Sequence, residues 1–417
     1  MSLSTRWLFA IAMMLAWAAP TARAQVLSTF VREQVGTLPK GRFLVSVLNL
    51  NASLDSMYGR NGEAKSLSSN FNQGVSFQKI TQEDPVRGNQ LSGLFLSHGV
   101  NLSDSAGSLS GSISGTVAGR VPVLGYGITE DTGIYLSVPV LNFRIRSRYS
   151  FTPSAAAQGF MGQLQGSDQA SVAAEFNSAL SNSLESKLFR SGLTWNPDID
   201  RNAIGDLQVT VVRVMPGNLG SWKRSLQPHL ILPTAALPDL KDLYGLRAGD
   251  RRWGVGLKFA AERELLSRLR FNFALGGTYL FNTTQARRLP RDASDNLGEL
   301  VDPAARVGGG GRVQGQAQLR YPFPRWVGLN LGMTYQGRWS ERLSGSLHPS
   351  ESYSLASART SNQLLAGYAS VDLNSIQSFL EGGFLFPAQA ELGLGLPLAG
   401  QNAISEPVVE FQGTMFF

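Results

Sequence analysis

The chain has 417 residues, of which 43% are hydrophobic and 16% charged, with 45 glycines, no cysteine and a formal net charge of +7. The charged content falls well below the roughly 25% of soluble domains, yet a mean hydropathy of -0.06 shows no apolar excess in exchange. That balance excludes an ordinary cytosolic enzyme and a helical membrane protein, and the lack of cysteine excludes disulfide scaffolds, thiolate metal sites and cysteine nucleophiles.

Met1 to Ala24 reads as a secretory leader: Arg6 supplies the positive n-region, Trp7 to Ala19 the apolar h-region, and Ala22-Arg23-Ala24 a small-x-small cleavage site. The apolar run is too short for the about 20 residues that span a bilayer as a helix. Cleavage predicts a mature chain from Gln25 whose formal charge drops to +5 as Arg6 and Arg23 leave. Export removes nucleic acid as a partner and turns the basic charge toward the envelope. The expected organisation is a leader at 1–24, a periplasmic segment at 25–40 and a membrane barrel at 41–417. No later stretch approaches 18 consecutive apolar residues, so no transmembrane helix is expected. A closed β-barrel is the other structure that satisfies its backbone in lipid, and its signal is alternation over segments of about ten residues.

Such segments follow in order at 41–57, 108–122, 131–149, 204–215, 222–234, 252–262, 267–281, 311–321, 327–339, 374–386, 388–398 and 406–417. The clearest is Arg312 to Tyr321, where Arg312, Gln314, Gln316, Gln318 and Arg320 share one face and Val313, Gly315, Ala317, Leu319 and Tyr321 the other. A face this polar does not suit a sandwich core, so the pattern predicts an all-β, antiparallel up-and-down transmembrane barrel with an apolar exterior. Twelve strands place both termini in the periplasm; Gln363–Leu373 offers an extra strand, and fourteen stays open as the larger count. Long polar segments at 58–107, 150–203, 235–251, 283–310 and 340–373 become external loops. Tyr149, Trp253, Tyr279, Tyr321, Trp326 and Trp339 suit aromatic girdles.

If Leu141, Phe143, Ile145 and Tyr149 face lipid, Arg144, Arg146 and Arg148 form an arginine ladder in the lumen. Lys258, Arg268, Arg270, Arg312, Gln316, Arg320 and Arg338 join them there, opposed by Asp206, Glu262, Glu381, Glu391 and Glu410. Two readings stay open: an electropositive pore that favours anions or amphiphiles, or an internal salt-bridge network that fills a narrow barrel. Asp168 to Leu188 carries apolar residues at spacing four and predicts an amphipathic helix in an external loop.

Catalytic chemistry finds little support. His98, His229 and His348 have no H-E-x-x-H spacing, and no Ser and Asn are placed to complete a hydrolase around His229. Gly308 to Gly311 lacks the following Lys-Ser/Thr of a phosphate loop and reads as a flexible tip. No enzyme activity, metal or cofactor is expected. At the C-terminus Val409, Phe411, Met415 and Phe417 alternate with polar residues and resemble the signal read by the barrel-assembly machinery. The other expected partners are the lipid bilayer, lipopolysaccharide and a small-molecule permeant.

Leu38 to Phe43, Tyr126 to Thr129, Leu136 to Pro139, Gly205 to Leu207, Leu230 to Thr234 and Leu396 to Gly400 follow one another in order along the mature chain. In these segments the sequence resembles the outer-membrane transporter-like family named after the phenol meta-degradation pathway, itself similar to FadL-type channels for hydrophobic compounds. The resemblance implies a monomeric barrel that passes small, hydrophobic molecules. From the residues, the leading function is a passive channel or transporter, and the competing one is a closed structural barrel whose loops bind partners.

Overall fold

Alternating polarity gives each long segment one face for lipid and one for the interior, and the computed structural model closes these segments into a ring. It describes residues 35–417 except 60, 70–72, 83–87, 167–191, 195, 218–220, 243–244, 267, 294, 296–297, 324–325, 377–378 and 380–385. The leader, most of the 25–40 segment, Glu381 and the predicted helix 168–188 lie outside the described residues. The strands are β1 (Phe43–Ser53), β2 (Ser105–Gly127), β3 (Thr132–Ser137), β4 (Val140–Pro153), β5 (Asp198–Ile204), β6 (Leu207–Val214) and β7 (Lys223–Leu232). They continue with β8 (Gly254–Leu266), β9 (Leu269–Leu280), β10 (Gly311–Pro322), β11 (Val327–Arg338), β12 (Asn362–Asn374), β13 (Ala388–Gln401) and β14 (Val408–Phe416). Antiparallel pairing runs β1-β14-β13-β12-β11-β10-β9-β8-β7-β6-β3-β2 and returns to β1, a closed barrel of twelve strands. The closing pairs run from Phe43↔Tyr126 to Ser53↔Thr116 on one side of β1 and from Leu44↔Phe416 to Ala52↔Val408 on the other.

The boundaries follow the alternation, with one displaced strand. The segment expected at 374–386 is not the tenth strand; Asn362–Asn374 is, so the optional extra strand replaces the expected one and the number stays at twelve. Its register turns Tyr368, Ser370 and Asp372 inward and leaves Val371 and Leu373 exposed.

Outside, Val255, Leu257, Leu275, Leu319, Leu331, Met333, Leu392, Leu394, Val409 and Phe411 form a continuous exposed apolar belt. Trp253, Tyr279, Phe281 and Trp339 rim its external edge, and Phe43, Tyr126, Tyr321, Phe323 and Trp326 its periplasmic edge. Tyr279 meets Phe281 edge-on at 5.6 Å, as Tyr321 meets Phe323 at 5.1 Å. This is the exterior of an outer-membrane barrel, apolar between two aromatic girdles.

At β4 the expectation reverses. β2 is 23 residues long, whereas about ten cross a bilayer, so β2 and its partner β4 rise well beyond the external edge. There water replaces lipid outside, and loop helices fill the inside. Helices α1 (Phe77–Gln82), α2 (Gly88–Ser97) and α3 (Ala155–Gln165) bring Phe77, Phe95 and Phe160 together at 4.8 to 6.5 Å between ring centres. These aromatics pack with Ile113, Val117, Leu141, Phe143, Ile145 and Ile199 in the main hydrophobic core. Burial of each such side chain contributes roughly 1.5–3 kcal/mol. Leu141, Phe143 and Ile145 therefore face inward rather than toward lipid, and Arg144, Arg146 and Arg148 lie on the solvent face of the sheet. Tyr149 likewise packs on the core and not in a girdle. Ser154 caps α3 by accepting from Ala157 N at 3.1 Å.

From below, the chain enters the barrel before β1. Val35 packs on the inward-facing Ala260 and Ala274 of β8 and β9, while Leu38 is buried near Gly125 of β2. Gly127 exchanges hydrogen bonds with Gly41 and Arg42, and a Cβ there would collide with the Pro39 carbonyl. A final expectation tests the belt. Leu331, 53% exposed in the middle of β11, should cost about 2–4 kcal/mol when replaced by Arg, measured by urea unfolding in lipid vesicles. Arg146→Leu, at the solvent face, should change stability by less than about 0.5 kcal/mol.

Candidate functional site: the barrel interior

Inward positions on β10 to β13 carry amides, hydroxyls and carboxylates that must find partners once removed from water. They form one chain of hydrogen bonds. Gln316 Nε2 donates to the Tyr368 hydroxyl at 2.8 Å, Tyr368 donates to Gln318, and Gln318 Nε2 donates to Asn330 Oδ1 at 3.0 Å. Asn330 Nδ2 then donates to Ser370 Oγ and Asp372 Oδ1, both at 3.0 Å, and Ser370 donates to Glu391 Oε1 at 2.6 Å. Arg320 completes it with two bonds to Asp372, at 3.2 and 2.5 Å, the fork geometry that guanidinium and carboxylate share. Asp372 and Glu391 are directly opposite in register, so Arg320 and Ser370 offset the repulsion of two facing acids.

The neighbouring wall differs. β1 turns Leu44, Leu48 and Leu50 inward, and β2 turns Val117 inward, all buried. The interior is thus amphipathic around its circumference.

At the outer end, Arg312 of β10 and Arg338 of β11 face each other in register. Like charges so placed repel, and Asp250 from the loop before β8 lies between them. Its Oδ1 accepts from Arg338 at 2.9 Å and its Oδ2 from Arg312. Glu341 accepts from Arg338 and, at 3.2 Å, from Arg252, a pair whose side chains are 0% exposed. Arg252 also donates to the carbonyls of Phe281, Leu280 and Gly309, so that each of its three nitrogens makes a hydrogen bond. Gly309 and Gly310, at φ +61° and +91°, let the backbone turn close against this guanidinium. The glycine run is accordingly a packed turn and not a flexible tip.

The candidate residues separate into groups. Arg312, Gln316, Arg320, Arg338 and Glu391 lie together on the inner wall in the networks above. Arg270 meets Glu262 at 3.8 Å and Lys258 is half-buried, both on the adjoining strands β8 and β9, where Arg270 lies in register with Arg320 of β10, while Arg268 is exposed in the turn between them. Arg144, Arg146 and Arg148 are not with them. On the outer face of β4, Arg144 meets Asp200 at 3.3 Å and Arg148 meets Asp198 at 2.9 Å. With side chains more than half exposed, such pairs are worth about 0–1 kcal/mol each. His229 bonds Thr278 at 2.8 Å, far in sequence from His98 and His348 in the loops. Sequence reasoning missed Asp250, Arg252, Glu341, Tyr368 and Asp372. The last two were visible in the alternation of 363–373, whereas Asp250, Arg252 and Glu341 sit in aperiodic loop sequence.

Neither protein-family models nor curated proteins give a match to the sequence. Among solved structures the chain is similar to an outer membrane channel from Pseudomonas putida F1, with a TM-score of 0.51 at 14% identity over 93% of this chain and 100% of that one. The NanC porin overlays with a TM-score of 0.33 at 7% identity over 74% of this chain and 98% of that one. The CymD monoaromatic hydrocarbon channel gives 0.31 at 10% identity over 98% and 93%. The likeness to the first is one of fold, that of a closed outer-membrane barrel.

The Arg320–Asp372 pair generates a sharp expectation. Removing one partner of a buried pair costs about 3–5 kcal/mol, whereas replacing both by apolar residues is close to neutral. Asp372→Leu should therefore lower the urea midpoint, and Asp372→Leu with Arg320→Leu should restore most of the loss.

Proposed function

We propose that the protein is a passive outer-membrane channel for small amphiphilic molecules. The observation that carries this reading is the two-sided inner wall, with a hydrogen-bonded polar network from Gln316 to Glu391 on β10 to β13 and the apolar strip Leu44, Leu48, Leu50 and Val117 on β1 and β2. A solute with one polar and one apolar side can exchange water for both walls at once, since amides and hydroxyls accept or donate along the way and the leucines cover its apolar part. The segments from Leu38 to Phe43 and from Leu396 to Gly400, which resemble a family similar to channels for hydrophobic compounds, support the same class of solute. Export by the leader, insertion guided by Val409, Phe411, Met415 and Phe417, and lipopolysaccharide around the external girdle complete the proposal.

One observation favours a closed barrel instead. The outer end is cross-linked by the fully buried Arg252–Glu341 pair and by Asp250 between two strands, which suits a barrel whose loops bind partners while no solute passes.

Conductance of the refolded protein in a planar bilayer, with reversal potentials in a salt gradient, decides between them. The channel should conduct steadily. Lys258→Gln with Arg270→Gln should move the permeability ratio toward cations, because fixed charge along the wall biases ion passage. Arg144→Ala, Arg146→Ala and Arg148→Ala together should leave that ratio unchanged, since the ladder stands outside. Silence of the wild-type protein would establish the closed barrel.

A further inference from the structure

We propose that the outer end of the barrel holds a small oxyanion, the carboxylate or phosphate group of a solute, between Arg247 and the inward-facing arginines of β10 and β11. This names the head group that the proposed channel would take, and so it rests on that reading.

Charge is unbalanced at this end. Arg247, Arg252, Arg287, Arg312 and Arg338 converge at this end, and all but Arg312 are buried. The acids in reach are committed. Asp250 holds Arg312 and Arg338, and Glu341 holds Arg252 and Arg338. Asp206 accepts from the backbone N–H groups of Ala235, Asp250 and Arg251. Asp302, opposite Arg287 in the hairpin Thr283–Leu289 and Leu300–Gly308, accepts from the Tyr353 hydroxyl. Cations exceed acids even with all four carboxylates counted.

Arg247 is where the excess appears. Its side chain is buried, with the residue 7% exposed, and among the described residues nothing accepts a hydrogen bond from its Nη1. Burial first, then repulsion from Arg287 and Arg338, push its pKa down to about 10 against the pull of Asp250 and Glu341. It still carries its charge at neutral pH. A buried charge without a hydrogen-bond partner is costly. A water molecule would return a hydrogen bond but no charge, whereas an oxyanion returns both and fits the planar fork of a guanidinium. Arg312 extends the site toward the lumen: its side chain is 33% exposed, and its Nε also has no acceptor among the described residues.

The test is unfolding of the full-length refolded barrel in detergent, with sodium phosphate or sodium benzoate against sodium chloride at matched ionic strength and neutral pH. Both oxyanions should raise the midpoint of the wild type in a saturable way, as a ligand bound only by the folded state must. Arg247→Gln should weaken the apparent affinity by about tenfold, as loss of one charge-assisted contact predicts, while Arg144→Gln on the outer face should respond as wild type does. The variants separate binding from the general salting-out effect of phosphate. A wild type indifferent to both oxyanions, or an Arg247→Gln variant that responds fully, would overturn the proposal. If Arg247→Gln does not fold, broadening of the inorganic phosphate NMR signal by wild type, reduced in Arg287→Gln, serves in its place, and no broadening overturns it equally. Binding in detergent requires no conduction. Phosphate binding by a barrel silent in bilayers would sink the channel and keep the site, and conduction without an oxyanion response would do the reverse.

Discussion

Lipid offers a strand edge no hydrogen-bond partner, and each unpaired backbone group in hydrocarbon costs several kcal/mol. The ring closure at β1 is the answer to that constraint. β1 is paired along its whole length on both sides, with β14 and with β2, so the first and last strands of the barrel protect one another. Closure then dictates side-chain chemistry, because every inward residue meets other inward residues and every outward residue meets lipid, and period-two alternation is the only sequence that serves both.

The ring tolerates irregularity where a donor is missing. Pro122 stands in β2 beside the break at Val138 and Pro139 that divides β3 from β4. Pro397 in β13 faces the register shift between Leu365 and Ala366 of β12, and its carbonyl receives the Tyr58 hydroxyl at 3.3 Å. Proline removes a ladder bond, and such positions become bulges or breaks that redirect the strand. The break at Gly205 and Asp206 divides β5 from β6 next to the first of these. There the carboxylate of Asp206 gathers the N–H groups of Ala235, Asp250 and Arg251 and ties the wall to the loop that delivers Asp250.

Alternation was legible in the sequence and placed the belt, most of the girdle aromatics and ten of the strands within a few residues; the expected strand at 131–149 breaks at Val138 and Pro139 and only Thr132–Ser137 joins the ring. What it does not encode is the medium on each side. Leu141, Phe143 and Ile145 alternate with Arg144, Arg146 and Arg148 as any lipid-facing strand would, yet β4 lies above the bilayer, where the apolar face turns in to α1, α2 and α3 and the charged face turns out to water. The signal that distinguishes these cases is length: β2 is far too long for its outer half to lie in lipid. The Asp250, Arg252 and Glu341 cluster has no comparable signal, since aperiodic loops far apart in sequence meet there. Position also decides energetics. Arg144 and Asp200, at 68% and 64% side-chain exposure, interact through water and add little, whereas Arg252 and Glu341 at 0% must be satisfied by carbonyls and a second arginine or destabilise the fold.

These constraints converge on the interior, which several elements share. The helices loaded on β2 and β4 occupy one side of its outer half, the Asp250 and Glu341 clamps bind β10, β11 and the loops on the other, and Val35 reaches Ala260 and Ala274 from below. Small residues at 260 and 274 leave room for that approach, so Val35 of the chain before β1 lies within the lumen. Along the wall between them Gln318, Asn330, Ser370 and Glu391, all buried, hand hydrogen bonds from strand to strand. That wall also carries Asp372 and Glu391 opposite each other in register, and Arg320 and Ser370 supply the donors that let two buried acids sit together there, where either one left unpaired would destabilise the fold.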